Sequence, residues 1–273
     1  MKRSAFTLVE LLVVIAIIGL LSTIAIVSTS SSREKARLAA AKQFSSQIDR
    51  DEGDSLTGQW DFDEGSGTTA NDISGFKNNG TLTGGPTWST DTPSGTGSSI
   101  SNASASGYVS VPDSDILDIG TGSVTRSLWF KTSQPDRGIM LRKSDASNAN
   151  GILCEIGSVG SGTVDCILGL PGIYVTASGK YNDGVWHSLV FVADRSANII
   201  NIYLDGKLRG TSDISAFSGA NLNAASPVYI GYISQSLIGS IDSVHFFSNA
   251  LTAMDVRKMY LAERVNKLTA FNK

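Results

Sequence analysis

From Phe6 to Val27 the chain reads FTLVELLVVIAIIGLLSTIAIV, and Glu10 is the only charged residue in that run. A helix crosses a bilayer with roughly 20 mostly apolar residues, so this run is long enough for one crossing. Lys2 and Arg3 precede it, which holds that end on the cytoplasmic side. A secretory signal has a shorter apolar core and a small-residue cleavage site beyond it. Here the run is long and no A-x-A site directly follows it, the next residues being STSSS. Glu10 is the anomaly, because a carboxylate inside a bilayer is costly and needs a partner.

Residues 2–26, KRSAFTLVELLVVIAIIGLLSTIAI, resemble the N-terminal signature of type IV pilins and of the pseudopilins of type II secretion. The resemblance implies that a prepilin peptidase cuts between Ala5 and Phe6 and then methylates the new amine of Phe6. It also implies that Glu10, fifth from Phe6, pairs with the N-terminal amine of a neighbouring subunit during assembly. A buried carboxylate is tolerated when a cation meets it in this way. Two positions depart from the family pattern. Ala5 stands before the cut, where the family usually has Gly, and Val27 stands near the place where it often has Pro.

The helix is expected to continue. Residues 33–50 read REKARLAAAKQFSSQIDR, and Ala36, Ala40, Phe44 and Ile48 recur at i+4, as on one apolar stripe. As a single helix, Phe6 to Arg50 would be roughly 65–70 Å long at about 1.5 Å per residue. It should stop in DEGDSLTG at residues 51–58, where Gly brackets Asp, Ser and Thr.

Beyond Gln59 the pattern changes to short β-branched and aromatic runs between Gly, Asn, Asp and Ser clusters. Examples are QWDF (59–62), GYVSV (107–111), SLWFK (127–131), GILCEIG (151–157), TVDCILGL (163–170), GIYVTAS (172–178), HSLVFVA (187–193) and NIINIYLDG (198–206). Many short strands with frequent turns predict an all-β sandwich or barrel. Asp205-Gly206 is a hairpin signal, and Gly160-Ser161-Gly162 reads as another hairpin tip. Thr252 with Asp255 three residues later reads as a capping box, opening a short C-terminal helix that ends near Asn266.

The order of WDFDEGSG (60–67), NDISGFKNNGTL (71–82), SVTRSLWFK (123–131), DGVWHSLVFVAD (183–194), INIYLDGKLRG (200–210), YIGY (229–232), GSIDSVHFFSNALT (239–252) and VRKMY (256–260) resembles the laminin-G-like, concanavalin A-like jelly roll. The expected fold is a long N-terminal transmembrane α-helix, then an all-β sandwich of this type, then a short C-terminal helix. Trp60, Trp129, Trp186 and Phe191 are expected to fill the layer between the two sheets. The expected division is a leader at 1–5, a membrane and assembly helix at 6–27, and a helical stalk at 28–56. The sandwich follows at 57–262 and a tail at 263–273.

Fold does not set function. Glycoside hydrolases of this fold carry E-x-D-x-x-E or E-x-D-x-E along one strand, which puts the carboxylates on one face. No such run is present, and Glu64, Glu155 and Glu263 form no evident pair. Asp61 and Asp63 share a face at a spacing of two, as an exposed strand face also would. His187 and His245 have no G-x-S-x-G elbow beside them. No catalytic residue is assigned, and the domain reads as a binding module rather than an enzyme.

The resemblance implies one structural calcium, since the first and last strands of such sandwiches lie side by side. That would bring Asp63 or Asp72, with Asn79, close to Asp242. Alternatively, Asp72 and Asn79 simply make turns, bonding their own backbone. Cys154 and Cys166 lie at equal distances either side of Gly160, so a hairpin around Gly160 would set them face to face. They are then either a disulfide, which an extracytoplasmic site permits, or two small buried thiols. Trp88 in GGPTWST is the aromatic expected to be most exposed, unless it packs over the sandwich edge. Residues 91–107 read as a mobile loop.

The net charge of −3, with 22 basic and 25 acidic residues, lacks the basic footprint of a nucleic-acid binder. The expected partners are a prepilin peptidase, other pilin-like subunits, the membrane, and a glycan or surface-protein ligand. The expected location is the bacterial inner membrane, with the sandwich outside the cytoplasm. Replacing Glu10 with Ala is expected to impair incorporation into a fibre while leaving the sandwich folded. Assembly of Glu10→Ala at the wild-type level, measured by sedimentation of sheared fibres, would count against the pairing.

Overall fold

The computed structural model describes residues 8, 9, 11–17, 53–145, 150–169 and 172–270. The chain divides into two compact units, Met1–Phe44 and Ser45–Lys273. In the first, residues 8, 9 and 11–17 are helical. The rest of the expected membrane helix, and the expected stalk up to residue 52, lie outside the described residues, as do Ala5, Phe6 and Glu10; the last stalk positions are a short 3₁₀ turn, Gly53–Ser55, and the first residue of a strand, Leu56. Among the described residues, no helix is long and apolar enough to cross a membrane.

The second unit is two antiparallel sheets. The first runs β14 (Lys207–Asp213), β13 (Ile199–Leu204), β12 (Trp186–Asp194), β7 (Val124–Lys131), β16 (Gly239–Phe247), β5 (Ser99–Asn102) and β4 (Thr87–Ser89). In addition β1 (Leu56–Trp60) pairs with β16, so the first and last strands are neighbours. The second sheet runs β11 (Ile173–Ala177), β10 (Val164–Leu168), β9 (Gly151–Ile156), β8 (Gly138–Ser144), β15 (Val228–Gly231), β6 (Tyr108–Val111), β3 (Gly80–Thr83) and β2 (Thr69–Ala70).

Alternation of side chains along each strand builds the core. In β12, Leu189, Phe191 and Ala193 face the other sheet, while Val190 and Val192 face away. Trp60, Phe130, Phe191 and Phe246 are buried between the sheets, and Trp60 meets Phe246 edge to face at 5.4 Å. Two of the four expected core aromatics sit elsewhere. Trp129 falls between the inward Leu128 and Phe130, so its ring lies on the opposite face of β7. Trp186, at the start of β12, is partly exposed and donates its Nε1–H to Asp91 at 3.0 Å. Arg126 does face inward. Its guanidinium donates to the carbonyls of Thr125, Phe247 and Leu117 and lies 4.1 Å from the Phe246 ring centre, which satisfies a cation no composition rule would bury.

Turn chemistry fixes the hairpins. Asp205 and Gly206 join β13 to β14 with φ of 54° and 69°, the two positive angles that a type I′ turn needs. At the β9–β10 tip the Gly157 amide donates to Thr163 O at 2.9 Å and the Thr163 amide to Gly160 O at 3.0 Å. Part of the expected loop at 91–107 is β5, paired with β4 and β16. Trp88 belongs to β4, packs against the core, and donates Nε1–H to Gly67 O at 2.9 Å. It covers the sandwich edge rather than forming an exposed platform.

The C-terminal helix spans Ala253–Ala270, further than Asn266. It opens as a capping box: the Thr252 amide donates to Asp255 at 3.2 Å and the Asp255 amide to Thr252 Oγ1 at 3.3 Å. Val256 and Met259 pack on Val190, Val192, Tyr203 and Phe247, so the helix covers the outer face of the first sheet. Tyr260 stacks on Trp129 with ring centres 5.7 Å apart. Glu263 accepts a hydrogen bond from the Trp129 indole.

A bulge in β16 places a carboxyl beneath this helix. The register with β7 shifts between Asp242 and His245, and Ser243 takes φ of 49°. Such bulges re-aim side chains. Asp242 shares the outer face with Trp129 and is buried. Burial pushes its carboxyl from 3.8 up to about 9, and the charges of Asp61, Asp63 and Glu263 add to the rise. Burial also raises Glu263. Asp61 goes the other way: burial opposes it, but the hydrogen bond and charge of His245 hold it below its ordinary value. The His245 Nε2 to Asp61 Oδ1 distance is 3.2 Å.

A carboxyl whose pKa rises on folding contributes stability that is complete below its unfolded value and is lost as pH rises through its folded value. For Asp242 that window runs from 3.8 to about 9. The melting temperature of the wild-type chain is therefore expected to fall across this window, and that of Asp242→Asn to fall less. Asp242→Asn should be the more stable form at the alkaline end. Parallel melting curves for the two chains across the window would show that Asp242 is ionised in the fold.

Candidate functional site

The outer face of the second sheet carries the chemistry. Ile152, Cys154 and Ile156 of β9, and Val164, Cys166 and Leu168 of β10, point into the core. Their neighbours therefore point out. Strand register sets these outward residues in two rows. One row places Ile139, Glu155, Asp165 and Thr176 side by side across β8, β9, β10 and β11. The other places Tyr229, Arg142, Leu153, Ile167 and Tyr174 across β15, β8, β9, β10 and β11.

Glu155 and Asp165 are thus directly opposed carboxylates, and both are 0% exposed. Like charges placed this way destabilise a sheet unless they are compensated. Arg137 supplies the compensation for Glu155: its Nε donates to Oε2 at 2.6 Å and a terminal nitrogen lies 2.5 Å from the same oxygen. Thr176 Oγ1 donates to Asp165 Oδ1 at 2.6 Å. Arg137 also donates to Gln235 Oε1 at 2.7 Å. Glu155 Oε1, on the other side of the carboxylate, is buried with no hydrogen-bond partner.

Above these rows lies a cavity of about 290 Å³ lined by Arg137, Leu153, Glu155, Ser158, Ile167 and Tyr174, among others. Tyr174 is 51% exposed at its rim. Further along the same face, Arg142 lies 4.4 Å from the ring centre of Tyr232. Tyr232 meets Tyr229 at 5.4 Å, and Tyr229 meets Tyr108 at 5.7 Å, both edge to face. Aromatic rings with a few fixed polar groups around a concavity are the usual composition of a small-ligand site.

The pair Glu155–Asp165 is absent from the linear motifs because its members sit on different strands. A signal for it was nonetheless present. The mirror around Gly160 that sets Cys154 opposite Cys166 also sets Glu155 opposite Asp165, one step toward the tip. Cys154 and Cys166 are joined by a disulfide, with Cα atoms 4.2 Å apart, and they are register partners.

The four residues expected at calcium are not gathered into one donor set. Asp72 accepts from the amides of Gln59 at 3.0 Å, Ser74 at 2.9 Å and Asn78 at 2.8 Å. Asn79 Oδ1 accepts the Asp72 amide at 2.9 Å. Both therefore make a turn. Asp63 accepts the Ser98 amide at 2.9 Å, and Asp242 lies under the C-terminal helix. The four do not fit a common calcium site, and among the described residues no group of three or more His, Cys, Asp or Glu side chains is arranged to hold a metal. His187 bridges two turns, with Nδ1 2.9 Å from Asp205 and Nε2 3.1 Å from Asp183. Burial opposes its charge, but these two carboxylates outweigh burial and raise it. It is a structural histidine.

Known proteins match in two places. The prokaryotic N-terminal methylation motif matches residues 1–26. The family described as the concanavalin A-like lectin/glucanases superfamily matches residues 102–257. No curated protein matches the chain. Among solved structures, the binding domain of Paraclostridial Mosquitocidal Protein 1 is similar, with a TM-score of 0.63, 12% identity, and coverage of 76% of this chain and 52% of that one. The binding domain of botulinum neurotoxin DC, solved with rat synaptotagmin II, gives 0.62, 14%, 78% and 52%. A botulinum neurotoxin type C structure, from work showing that its cell entry depends on interaction with two ganglioside molecules, gives 0.63, 14%, 78% and 52%. At these identities the likeness is one of fold, and the chain spans about half the length of each of these structures. A prokaryotic N-terminal methylation motif thus precedes the sandwich, and the chain belongs to the concanavalin A-like lectin/glucanases superfamily.

Proposed function

We propose that this protein is a pilin-like subunit, of a type IV pilus or a type II secretion pseudopilus, that displays a lectin-like sandwich for adhesion or ligand capture. One observation carries the reading: an N-terminal methylation motif and a concanavalin A-like domain occur in a single chain. The motif marks a subunit handled by a prepilin peptidase and packed with others through its apolar helix. The helix end bearing Lys2 and Arg3 stays in the cytoplasm, and the sandwich lies outside. The Cys154–Cys166 disulfide supports that side of the membrane.

The sandwich binds rather than catalyses on this reading. Glu155 and Asp165 are fully buried and each is held by a side chain of its own, so neither is poised for proton transfer to a substrate. Relatives of the same fold include a domain solved with synaptotagmin II and a toxin whose entry depends on gangliosides. That range supports a recognition role without naming this protein's ligand. Ala5, at the position before the cut, favours a second reading in which the chain stays uncut as a membrane-anchored lectin-like protein.

Intact mass and N-terminal analysis decide between them, on the chain expressed with and without a prepilin peptidase. A product beginning at methylated Phe6 is expected when the peptidase is present. A chain still beginning at Met1 under those conditions would overturn the fibre-subunit reading and leave the anchored one.

A further inference from the structure

We propose that the outward side of the C-terminal helix, together with the start of β14 beside it, docks on an anionic phospholipid surface. This rests on the reading of the chain as anchored in a membrane. It adds that the face of the sandwich bearing this helix lies on the lipid headgroups.

The helix is apolar on two sides. Val256 and Met259 face the first sheet and are buried. Met254 and Leu261 are seven residues apart, which sets them on one side of a helix, and they are 68% and 46% exposed. Arg257 comes three residues after Met254 and four before Leu261, and it is exposed. The helix runs on to Ala270. In sequence, Arg264, Val265 and Leu268 follow Leu261 at three, four and seven, which are again the spacings of one helix side.

β14 adds a second patch of the same kind. The Tyr260 ring packs on the β13–β14 turn, where a Cβ on Gly206 would lie 3.0 Å from it. Leu208 is the register partner of Tyr203, and Tyr203 packs with Val256 and Met259 of the helix. Leu208 therefore stands on the helix-bearing face. It is 54% exposed, and Lys207 and Arg209, its neighbours in the chain, are exposed as well.

Charge selects the occupant. Exposed apolar side chains alone would suit a second copy of the chain equally well. A two-fold contact, however, sets the same patch against itself, and here it would bring cations against cations. The acids of the helix offer no relief: Asp255 is engaged by Thr252 and Lys258, and Glu263 by the Trp129 indole. Apolar side chains flanked by Lys and Arg fit a bilayer interface, where the apolar groups sink below the headgroups and the cations meet phosphate. The apolar run from Phe6 to Val27 keeps such a surface within reach of the same chain.

The test uses the full chain in nanodiscs of phosphatidylcholine, alone or with phosphatidylglycerol added. An environment-sensitive fluorophore is attached at Met254→Cys, or at Ile233→Cys, beyond β15 of the second sheet, as a control. Cys154 and Cys166 are already paired and take no label. The expected result is a blue shift and quenching by brominated lipid at position 254, only in discs with phosphatidylglycerol, and neither at position 233. Docking read from that quenching should weaken roughly fivefold for each cation removed in Lys207→Gln and Arg257→Gln. It should also weaken in Leu208→Ser and with added salt, while near-ultraviolet circular dichroism shows each variant folded. Equal signals in the two kinds of disc, unmoved by the charge variants, overturn the anionic surface. A signal that ignores lipid charge but rises with the number of chains per disc marks pairing of copies and overturns it too. No change at position 254 in chains that have entered the discs overturns the proposal and leaves the anchored reading standing. A chain that does not enter the discs overturns both.

Discussion

The register between β9 and β10 is the constraint on which the functional face depends. Side chains on a strand alternate with a period of two, so a slip by one residue exchanges the two faces. In the observed register Cys154 meets Cys166 in the core and Glu155 meets Asp165 outside it. A one-residue slip would push carboxylates into the apolar layer and turn the cysteines outward. Burial of Ile152, Ile156, Val164 and Leu168 on the cysteine side opposes that slip, and the disulfide ties it down. The outward carboxylates are then close enough to need Arg137 and Thr176. The unsatisfied oxygen of Glu155 is the residue of that arrangement.

The two outer faces of the sandwich have different fates. On the first sheet, Val190, Val192, Tyr203 and Phe247 form an apolar patch that the C-terminal helix covers through Val256 and Met259. The covering also seals in polar groups. Asp242 is carried there by the β16 bulge, and the indole of Trp129 finds Glu263. The second sheet has Arg142, Glu155, Asp165 and several tyrosines facing out, with no helix among the described residues over them. The cavity and the aromatic row lie on this second face.

Much of the sandwich was legible because its signals are local. The strand runs of β6, β7, β9 to β13, the Asp205-Gly206 turn and the Thr252–Asp255 cap each depend on neighbours in the chain. β8 was not legible. Its residues GIMLRKS include Arg142 and Lys143, yet all seven are buried. Lys143 is accommodated by Asp118 at 3.0 Å and by the carbonyls of Ala224 and Ser226 at 2.8 and 2.7 Å, partners about 80 residues away in the latter two bonds. β5 was read as loop for a related reason: its residues SISN have weak strand propensity, and pairing with β16 and β4 holds them extended. Asp72 and Asn79 illustrate the converse. Their turn chemistry was readable locally, and both residues make the turn that was weighed beside calcium.

By itself the sequence determined the apolar N-terminal run with its lone Glu10, an all-β sandwich or barrel, and the hairpin that mirrors around Gly160. Those follow from hydropathy, alternation and turn residues, which act over a few positions. Only the tertiary structure decided which aromatics face the core, which outer face the C-terminal helix covers, and where Arg137 lands. A strand's alternation says that two faces exist, but not what lies against each. That is settled when distant segments pack, and it is why Trp129 ends under a helix and Glu155 ends buried against Arg137.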